Sequence, residues 1–143
     1  MSIFAVEKLE AVRENGKVRF FKLLKDGECM FDDFYDELSG NNRVHKDLLN
    51  ILSVMDYMAE TNAILPKTKF NSIKQGNTII GYEFKKNDLR VYCMKPETNV
   101  VVVFGGYKKN QKEDIKRLKK LVDEVGDELE KIINEKTENY DNK

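Results

Sequence analysis

The spacing of hydrophobic and polar residues along this chain predicts two strands at its N-terminus. Residues 2–12 and Lys17–Leu24 alternate between apolar and polar positions, as expected for strands with one buried face. Asn15-Gly16 separates the two segments, and this pair favours a tight hairpin turn because both residues accept positive φ. We therefore predict an N-terminal β-hairpin that turns at Asn15-Gly16 and ends at Asp26-Gly27.

Two helices are predicted next, by apolar residues at three- and four-residue spacing. The first helix covers residues 28–38 and the second covers 43–60, with Asn42 as a candidate N-cap. Residues 67–77 hold several lysines without a clear periodicity. We expect an irregular, basic connector there.

A β-meander is predicted in the second half of the chain. Three strand-like segments, 78–85, 89–95 and 99–105, are separated by turn-forming residues. The run Val100–Val103 has no polar alternation, so it should form a central strand that is buried on both faces. Gly105-Gly106 then allows the chain to leave the sheet sharply.

A long helix is predicted at the C-terminus, from about Gln111 to near Lys136. Its apolar stripe either packs on the sheet or forms a seam with a second copy of the chain. The order ββααβββα predicts an α+β domain with an antiparallel sheet, which contains the meander, and with the first two helices together on one face of the sheet. All helices are expected on that face, and residues 1–143 are expected to form this single domain.

Composition narrows the functional classes. With 41% hydrophobic residues the chain can bury a core, and no apolar run approaches the roughly 18 residues of a membrane span. The first residues lack the pattern of a signal peptide, and Cys29 and Cys93 lie far apart, so we expect reduced thiols in a cytoplasmic protein. His45 is the only histidine, which argues against histidine-based metal sites and nucleophiles. We predict neither a metal nor a cofactor.

Charge is distributed unevenly, although the chain is neutral overall. Residues 1–66 carry 8 basic and 12 acidic side chains, and residues 121–143 carry 3 and 8. Residues 67–120 carry 14 basic and 5 acidic side chains, a net charge of +9. Such a concentration of positive charge is typical of a surface that binds a polyanion such as RNA. A solvated, lysine-rich surface is the alternative interpretation.

Several short motifs occur in the order found in a known protein family. They are Phe34–Leu38 at the end of the first helix, the leucine-rich stretch Leu48–Met58, Ile64-Leu65-Pro66, Lys74-Gln75-Gly76, the strands Tyr82–Lys85 and Leu89–Tyr92, and Gly106–Lys112 after the valine run. Over about Lys17–Lys120 the chain resembles the RelE/HigB-type toxins of bacterial and phage toxin–antitoxin systems.

This resemblance implies a RelE/ParE-like fold and a metal-independent endoribonuclease that cleaves mRNA on translating ribosomes. It also implies a cognate antitoxin, expected to be a helix-turn-helix protein, that covers the active face. In this family, basic and polar side chains orient the 2′-hydroxyl and stabilise the charged transition state. The matching catalytic residues are Arg90, Lys74, Tyr107 and Lys109. The matching RNA-binding residues are Lys67, Lys69, Lys85, Lys108, Gln111 and Lys112.

The chain also departs from the family pattern. Lys85 stands where the family has a strand arginine, and Asn110 replaces a threonine. Residues 1–16 add an N-terminal strand, and residues 121–143 add an acidic helical extension. Three functions remain open: the toxin-like ribonuclease, a non-catalytic RelE-like module that binds nucleic acid or protein, and an unrelated interaction protein that forms a homodimer through its C-terminal helix.

Two residues of the predicted site have alternative roles. We expect Arg90 to project from the meander towards the basic cluster at Tyr107–Lys109, where a scissile phosphate would lie. Its alternative is a salt bridge with Glu83 across the hairpin. Tyr107 either stacks on a substrate base or packs as an aromatic residue at the strand end.

Overall fold

One mixed β-sheet runs through the molecule, and helices cover both of its faces. The computed structural model describes residues 2–14 and 16–141. The elements are β1 (Phe4–Lys8), β2 (Arg19–Lys25), α1 (Met30–Leu38), α2 (Asn42–Thr61), β3 (Phe70–Gln75), β4 (Thr78–Lys86), β5 (Leu89–Met94), β6 (Asn99–Tyr107), a 3₁₀ turn (Lys108–Asn110), α3 (Gln111–Val125) and α4 (Glu128–Asp141).

The sheet has six strands in the order β1-β2-β6-β5-β4-β3. The meander β4-β5-β6 is antiparallel and confirms the prediction for the second half of the chain. The prediction of a wholly antiparallel sheet is wrong, because β2 and β6 run parallel, with Phe20 opposite Val100. Five elements, from α1 to β5, separate β2 from β6 along the chain, so no tight turn forces these two strands to run in opposite directions. The α+β class is confirmed.

The first two strands pair as predicted, but the turn between them is different. β1 and β2 are antiparallel, with Val6 opposite Leu23. Residues 9–14 and 16–18 take the place of a tight hairpin turn, and the backbone N–H groups of Lys17 and Val18 donate to the carbonyl of Ala59 near the end of α2. At Gly16 a side chain would overlap the carbonyl oxygen of Ala59, so this glycine permits a close backbone approach. Asn15, the other residue of the predicted turn, lies outside the described residues.

The basic connector contains a strand that the sequence analysis did not predict. β3 pairs with β4 at the edge of the sheet, with Phe70 opposite Phe84. Ile73 is its one buried residue. An edge strand with so little apolar surface lacks the alternation by which strands are recognised.

The first two helices lie together on one face of the sheet, as predicted. Asn41 rather than Asn42 is the N-cap of α2, and its side chain accepts a hydrogen bond from the backbone N–H of Val44 at 3.3 Å. The core on this face is apolar and includes Val18, Phe20, Phe31, Leu48, Ile51, Met55, Phe84, Val91, Val100 and Val102.

The C-terminal segment differs from its prediction in two ways. It forms two helices rather than one, and the break lies at Gly126, whose φ is 51°. Both helices pack against the opposite face of the sheet, so the prediction of helices on a single face is wrong. The apolar stripe therefore contacts the chain's own strands, and its buried members are Leu118, Leu121, Val125, Leu129 and Ile133.

The valine run lies at the junction of the two cores, as predicted. Val100 and Val102 face α1 and α2, whereas Val101 and Val103 face α3 and α4. All four side chains are fully buried.

Both cysteines are free thiols. Cys93 is completely buried, and this burial raises the pKa of its thiol. Within residues 2–14 and 16–141, no helix is both long and apolar enough to cross a membrane.

Candidate nucleic-acid interface

Lysines from three distant segments meet at one end of the sheet. The backbone N–H of Lys85 donates to the carbonyl of Lys69 at 2.9 Å, which joins the connector to the end of β4. The N–H of Lys108 donates to the carbonyl of Asp88 at 2.7 Å, which joins the exit of β6 to the β4–β5 turn. We call this surface the basic end; its lysines are Lys67, Lys69, Lys85, Lys86, Lys108, Lys109 and Lys112.

The turn between β4 and β5 holds the basic end in place. Asn87 adopts a left-handed conformation with φ of 52°, which asparagine tolerates better than most residues. Its side-chain amide donates to the carboxylate of Asp47 at 3.0 Å and so ties the turn to α2. A 3₁₀ turn at Lys108–Asn110 then leads into α3, and both of its lysines are exposed.

Most of the predicted RNA-binding residues lie at or beside this end, but one predicted catalytic residue does not. Lys74 pairs with Ile79 near the β3–β4 hairpin. Five residues of strand separate it from Lys69, or about 16 Å at the usual rise of a β-strand. Lys74 is therefore not brought together with Tyr107 and Lys109.

Arg90 is buried rather than directed at solvent. Its residue is 7% exposed, and its Nη1 donates to the carbonyls of Asn87 at 2.8 Å and Leu89 at 2.9 Å. The guanidinium thus binds the β4–β5 turn from inside. It lies close to the basic end, but the expected projection of its charge into the exposed basic cluster is wrong.

Glu83 is engaged by residues other than Arg90, so it does not form the cross-hairpin salt bridge that was the alternative role of Arg90. Its carboxylate accepts a hydrogen bond from the side chain of Gln111 at 2.7 Å and lies 3.4 Å from the ammonium of Lys85. The side chains of Gln111 and Lys85 are therefore both engaged by Glu83 within the protein. Lys85 carries a charge at the basic end, whereas Gln111 is neutral.

Tyr107 packs at the end of β6, as one of its two alternatives proposed. Its ring meets the ring of Phe34 edge-on, with 6.2 Å between centroids. The residue is partly exposed and lines a shallow depression with Asp88, Lys108 and Lys109. An aromatic surface next to two cations is able to contact a nucleotide.

Beneath the basic end lies a buried polar cluster that the sequence analysis missed. It comprises Glu83, Arg90, Tyr92 and Asp114, which are at most 7% exposed. At Gly106 a side chain would overlap the Asp114 carboxylate, so Gly106 leaves room for this cluster. The available signal in the sequence was the presence of charged residues at alternate positions of an otherwise apolar hairpin. Alternate residues of a β-strand share one face, so this pattern indicates a polar cluster on that face.

The charges of this cluster are only partly compensated. Asp114 lies 3.6 Å from Arg117, yet burial raises the pKa of its carboxyl. Burial, and then the charges of Asp114 and Glu83, raise the pKa of the Tyr92 phenol, which therefore stays protonated. Among the described residues, the Tyr92 hydroxyl and the Arg90 Nε are buried without a hydrogen-bond partner.

The described residues do not form a metal centre. No group of three or more histidine, cysteine, aspartate or glutamate side chains among them could hold an ion. His45 lies on α2, where its ring meets that of Tyr35 edge-on at 5.3 Å between centroids.

The chain is similar to part of a tRNA-modifying enzyme. It is 30% identical over 129 residues to the tRNA uridine 5-carboxymethylaminomethyl modification enzyme MnmG of two strains of Ureaplasma parvum serovar 3 and to that of Ureaplasma urealyticum serovar 10. The match covers 82% of this chain and 20% of each enzyme, so the chain spans about a fifth of the length of these curated relatives. No family model and no solved structure matches the chain.

Proposed function

We propose that this protein is an RNA-binding module and that its basic end is the binding surface. The observation that carries this proposal is the meeting of residues 67–69, 85–86 and 108–112 at one end of the sheet. Lysines from separate segments are placed there by backbone hydrogen bonds, whereas lysines that merely solvate a surface need no such arrangement. The five exposed lysines of this surface can contact successive phosphates.

Exposed Asp88 lies beside Lys108 and Lys109, but two other neighbouring acidic groups are engaged by the protein itself. The Glu83 carboxylate is 4% exposed and is engaged by Lys85 and Gln111. Asp47 is engaged by Asn87. The relatives named above are described as tRNA-modifying enzymes, which supports RNA as the ligand and makes tRNA the first RNA to test.

The test compares two charge reversals on the same sheet. Lys108→Glu lies at the basic end, and Lys74→Glu lies about 16 Å away along β3 from that end. We expect Lys108→Glu to weaken binding of unmodified tRNA about tenfold or more at low salt, because it converts an attraction for phosphate into a repulsion. Lys74→Glu should change the affinity little. The measurement is fluorescence anisotropy over a series of salt concentrations.

The salt dependence provides the second readout. The logarithm of the association constant falls linearly with the logarithm of the salt concentration. Each phosphate contact that is lost should make this slope shallower by about 0.9 on paired RNA, by analogy with duplex DNA. If the two charge reversals weakened RNA binding equally, the assignment of the basic end as the binding surface would be wrong. Wild-type protein that binds no RNA at low salt would overturn the proposal as a whole.

A second candidate function is the RelE/HigB-type ribonuclease, neutralised by a helix-turn-helix antitoxin. The observation that favours it is the depression where Tyr107, Lys108 and Lys109 lie side by side. A phosphate bound there would contact two cations and a phenol, the groups that metal-independent RNA cleavage uses. Catalysis would have to rely on these residues, because Arg90 is buried and Lys74 is remote.

Expression in bacteria distinguishes the two candidates. A ribonuclease should arrest growth and produce new mRNA ends, and Tyr107→Phe should lower cleavage strongly if the hydroxyl moves a proton. Unchanged growth and intact mRNA, together with salt-sensitive RNA binding, would leave the binding module as the function.

A further inference from the structure

A groove runs beside the basic end, between α2 and the segment that follows it. Asn62 ends α2 in a left-handed conformation with φ of 53°, and the chain then turns back along the helix. Leu65 packs against the apolar core and anchors this returning segment. One wall of the groove is the helix and the other is residues 63–66.

The helical wall of the groove carries groups that suit a nucleobase. Asn50, Ser53, Val54 and Tyr57 are spaced by three and four residues, so they form one stripe along α2. Tyr57 is 52% exposed, and its ring has no part in the core. An exposed ring offers a stacking surface, and the amide and hydroxyl can hydrogen-bond to a base edge.

The mouth of the groove belongs to the basic end. Lys69 lines the groove, and its carbonyl accepts the hydrogen bond from Lys85 that joins β3 to β4. A strand of RNA that crosses the exposed Lys108 on its way to the exposed Lys69 would therefore reach the groove along the basic end.

Nearby acidic residues do not oppose this path. Asp56 and Glu60 flank Tyr57 on α2, but Arg13 binds both of them, at 2.9 Å and 3.3 Å. The hydrogen bond from Arg13 also holds the pKa of the Asp56 carboxyl below its usual range.

We propose that this groove binds an unpaired nucleotide of the RNA, with its base stacked on Tyr57 and its phosphate on Lys69. The inference rests on the proposed RNA-binding function and narrows its ligand to RNA with a single-stranded segment. A base inside a helix presents no free face to an aromatic ring, whereas an unpaired base does. Residues 63–66 form an apolar wall, but the aromatic, amide and hydroxyl groups of the facing helical wall and the ammonium of Lys69 favour a nucleotide over an apolar peptide.

The experiment compares a short fluorescein-labelled oligouridylate with a blunt-ended RNA duplex of the same length. We expect Tyr57→Ala to weaken oligouridylate binding about fivefold or more and to leave duplex binding unchanged. Tyr57→Phe should retain wild-type affinity, because stacking needs only the ring. Leu49→Ala is the matched control, since Leu49 is 44% exposed on the same helix outside the groove.

The salt dependence separates the two proposed contacts. Tyr57→Ala should leave the slope of log K against log salt unchanged, whereas Lys69→Ala should reduce it by about 0.7 on the single strand. Equal losses on both RNAs, or no loss with Tyr57→Ala, would overturn the groove site while an effect of Lys108→Glu would still support RNA binding. If wild-type protein binds neither RNA, both proposals fail.

Discussion

The two faces of the sheet are built differently. The face under α1 and α2 is closed by apolar side chains from both helices and four strands. The face under α3 and α4 is apolar along most of its length but holds Glu83, Arg90 and Asp114 near the start of α3. Among the described residues, the buried charged side chains lie on this second face.

The difference indicates a division of roles. An apolar face contributes stability without demanding one exact arrangement of its neighbours, whereas buried polar groups need partners in fixed positions. On the polar side, Gln111 reaches Glu83 and Arg90 holds the carbonyl of Asn87. Both contacts position segments that carry lysines of the basic end. We infer that this polar cluster orders the basic end and that the opposite face supplies most of the stability.

Truncating the apolar face should therefore cost the most stability. Phe84 is fully buried and its ring contacts those of Phe20 and Phe70. Phe84→Ala should lower the free energy of unfolding by about 3–5 kcal/mol, because it removes the transfer energy of the ring and leaves a cavity. Urea denaturation measures the change.

Ile79→Ala is the control for that experiment, since Ile79 lies on the same strand and is 47% exposed. It should change stability by less than about 1 kcal/mol. A small loss from Phe84→Ala, comparable to that of the control, would contradict the assignment of stability to the apolar face.

The apolar face was also the part that the sequence predicted best. Helical spacing located α1 and α2, and the unbroken run Val100–Val103 located the central strand, because these patterns reflect burial directly. The C-terminal break was missed because the three- and four-residue spacing continues across Gly126. Local periodicity carries no information about which face of the sheet a later helix covers.

The candidate site was predicted only in part, for a related reason. The grouping of Lys108 and Lys109 was correct because these residues are adjacent in the chain. The position of Lys74 depends on the register of a strand that the pattern did not reveal. The burial of Arg90 depends on α3 covering it, which no local signal in β5 shows. The error for Arg90 concerns a contact between segments distant in sequence, whereas the error for Lys74 concerns a hairpin whose first strand shows no apolar alternation.

Removing the buried arginine should have the next largest effect. Arg90→Ala deletes two hydrogen bonds to backbone carbonyls and should lower the free energy of unfolding by roughly 1.5–3 kcal/mol, the range for a hydrogen bond that involves a charged group. Arg90→Met should recover part of this loss, because an apolar side chain of similar length fills the space. Urea denaturation of both variants tests this expectation.

The same variants distinguish a structural arginine from one that contacts RNA. If Arg90 acts only through the turn at Asn87, Arg90→Met should weaken RNA binding modestly and leave its salt slope unchanged. Lys86→Ala, at the end of the neighbouring strand, is the control for a lysine lost from the basic end. A slope reduced by about 0.9 in Arg90→Met would instead indicate a direct phosphate contact.

The smallest expected effect concerns Asp114 and is visible only as a pH dependence. Burial raises the folded-state pKa of this carboxyl above its usual value of 3.8, so the folded protein binds the proton more tightly than the unfolded chain does. The stability from its protonated form is therefore fully present below about pH 3.8 and is lost as pH rises through the folded-state pKa. Asp114→Asn cannot ionise and should not show this loss.

The measurement is urea denaturation of the wild type and of Asp114→Asn from pH 3.8 to neutrality. The stability of the variant relative to the wild type should increase over this range, because other titrating groups contribute equally to both proteins. The variant also loses the ion pair with Arg117 at 3.6 Å, and this loss reduces its gain in stability relative to the wild type. The change in the free energy of unfolding should therefore be smaller than that of Arg90→Ala. If the difference between Asp114→Asn and the wild type did not change with pH, the carboxyl of Asp114 would be accommodated in its charged form, and the two faces of the sheet would then differ only in composition.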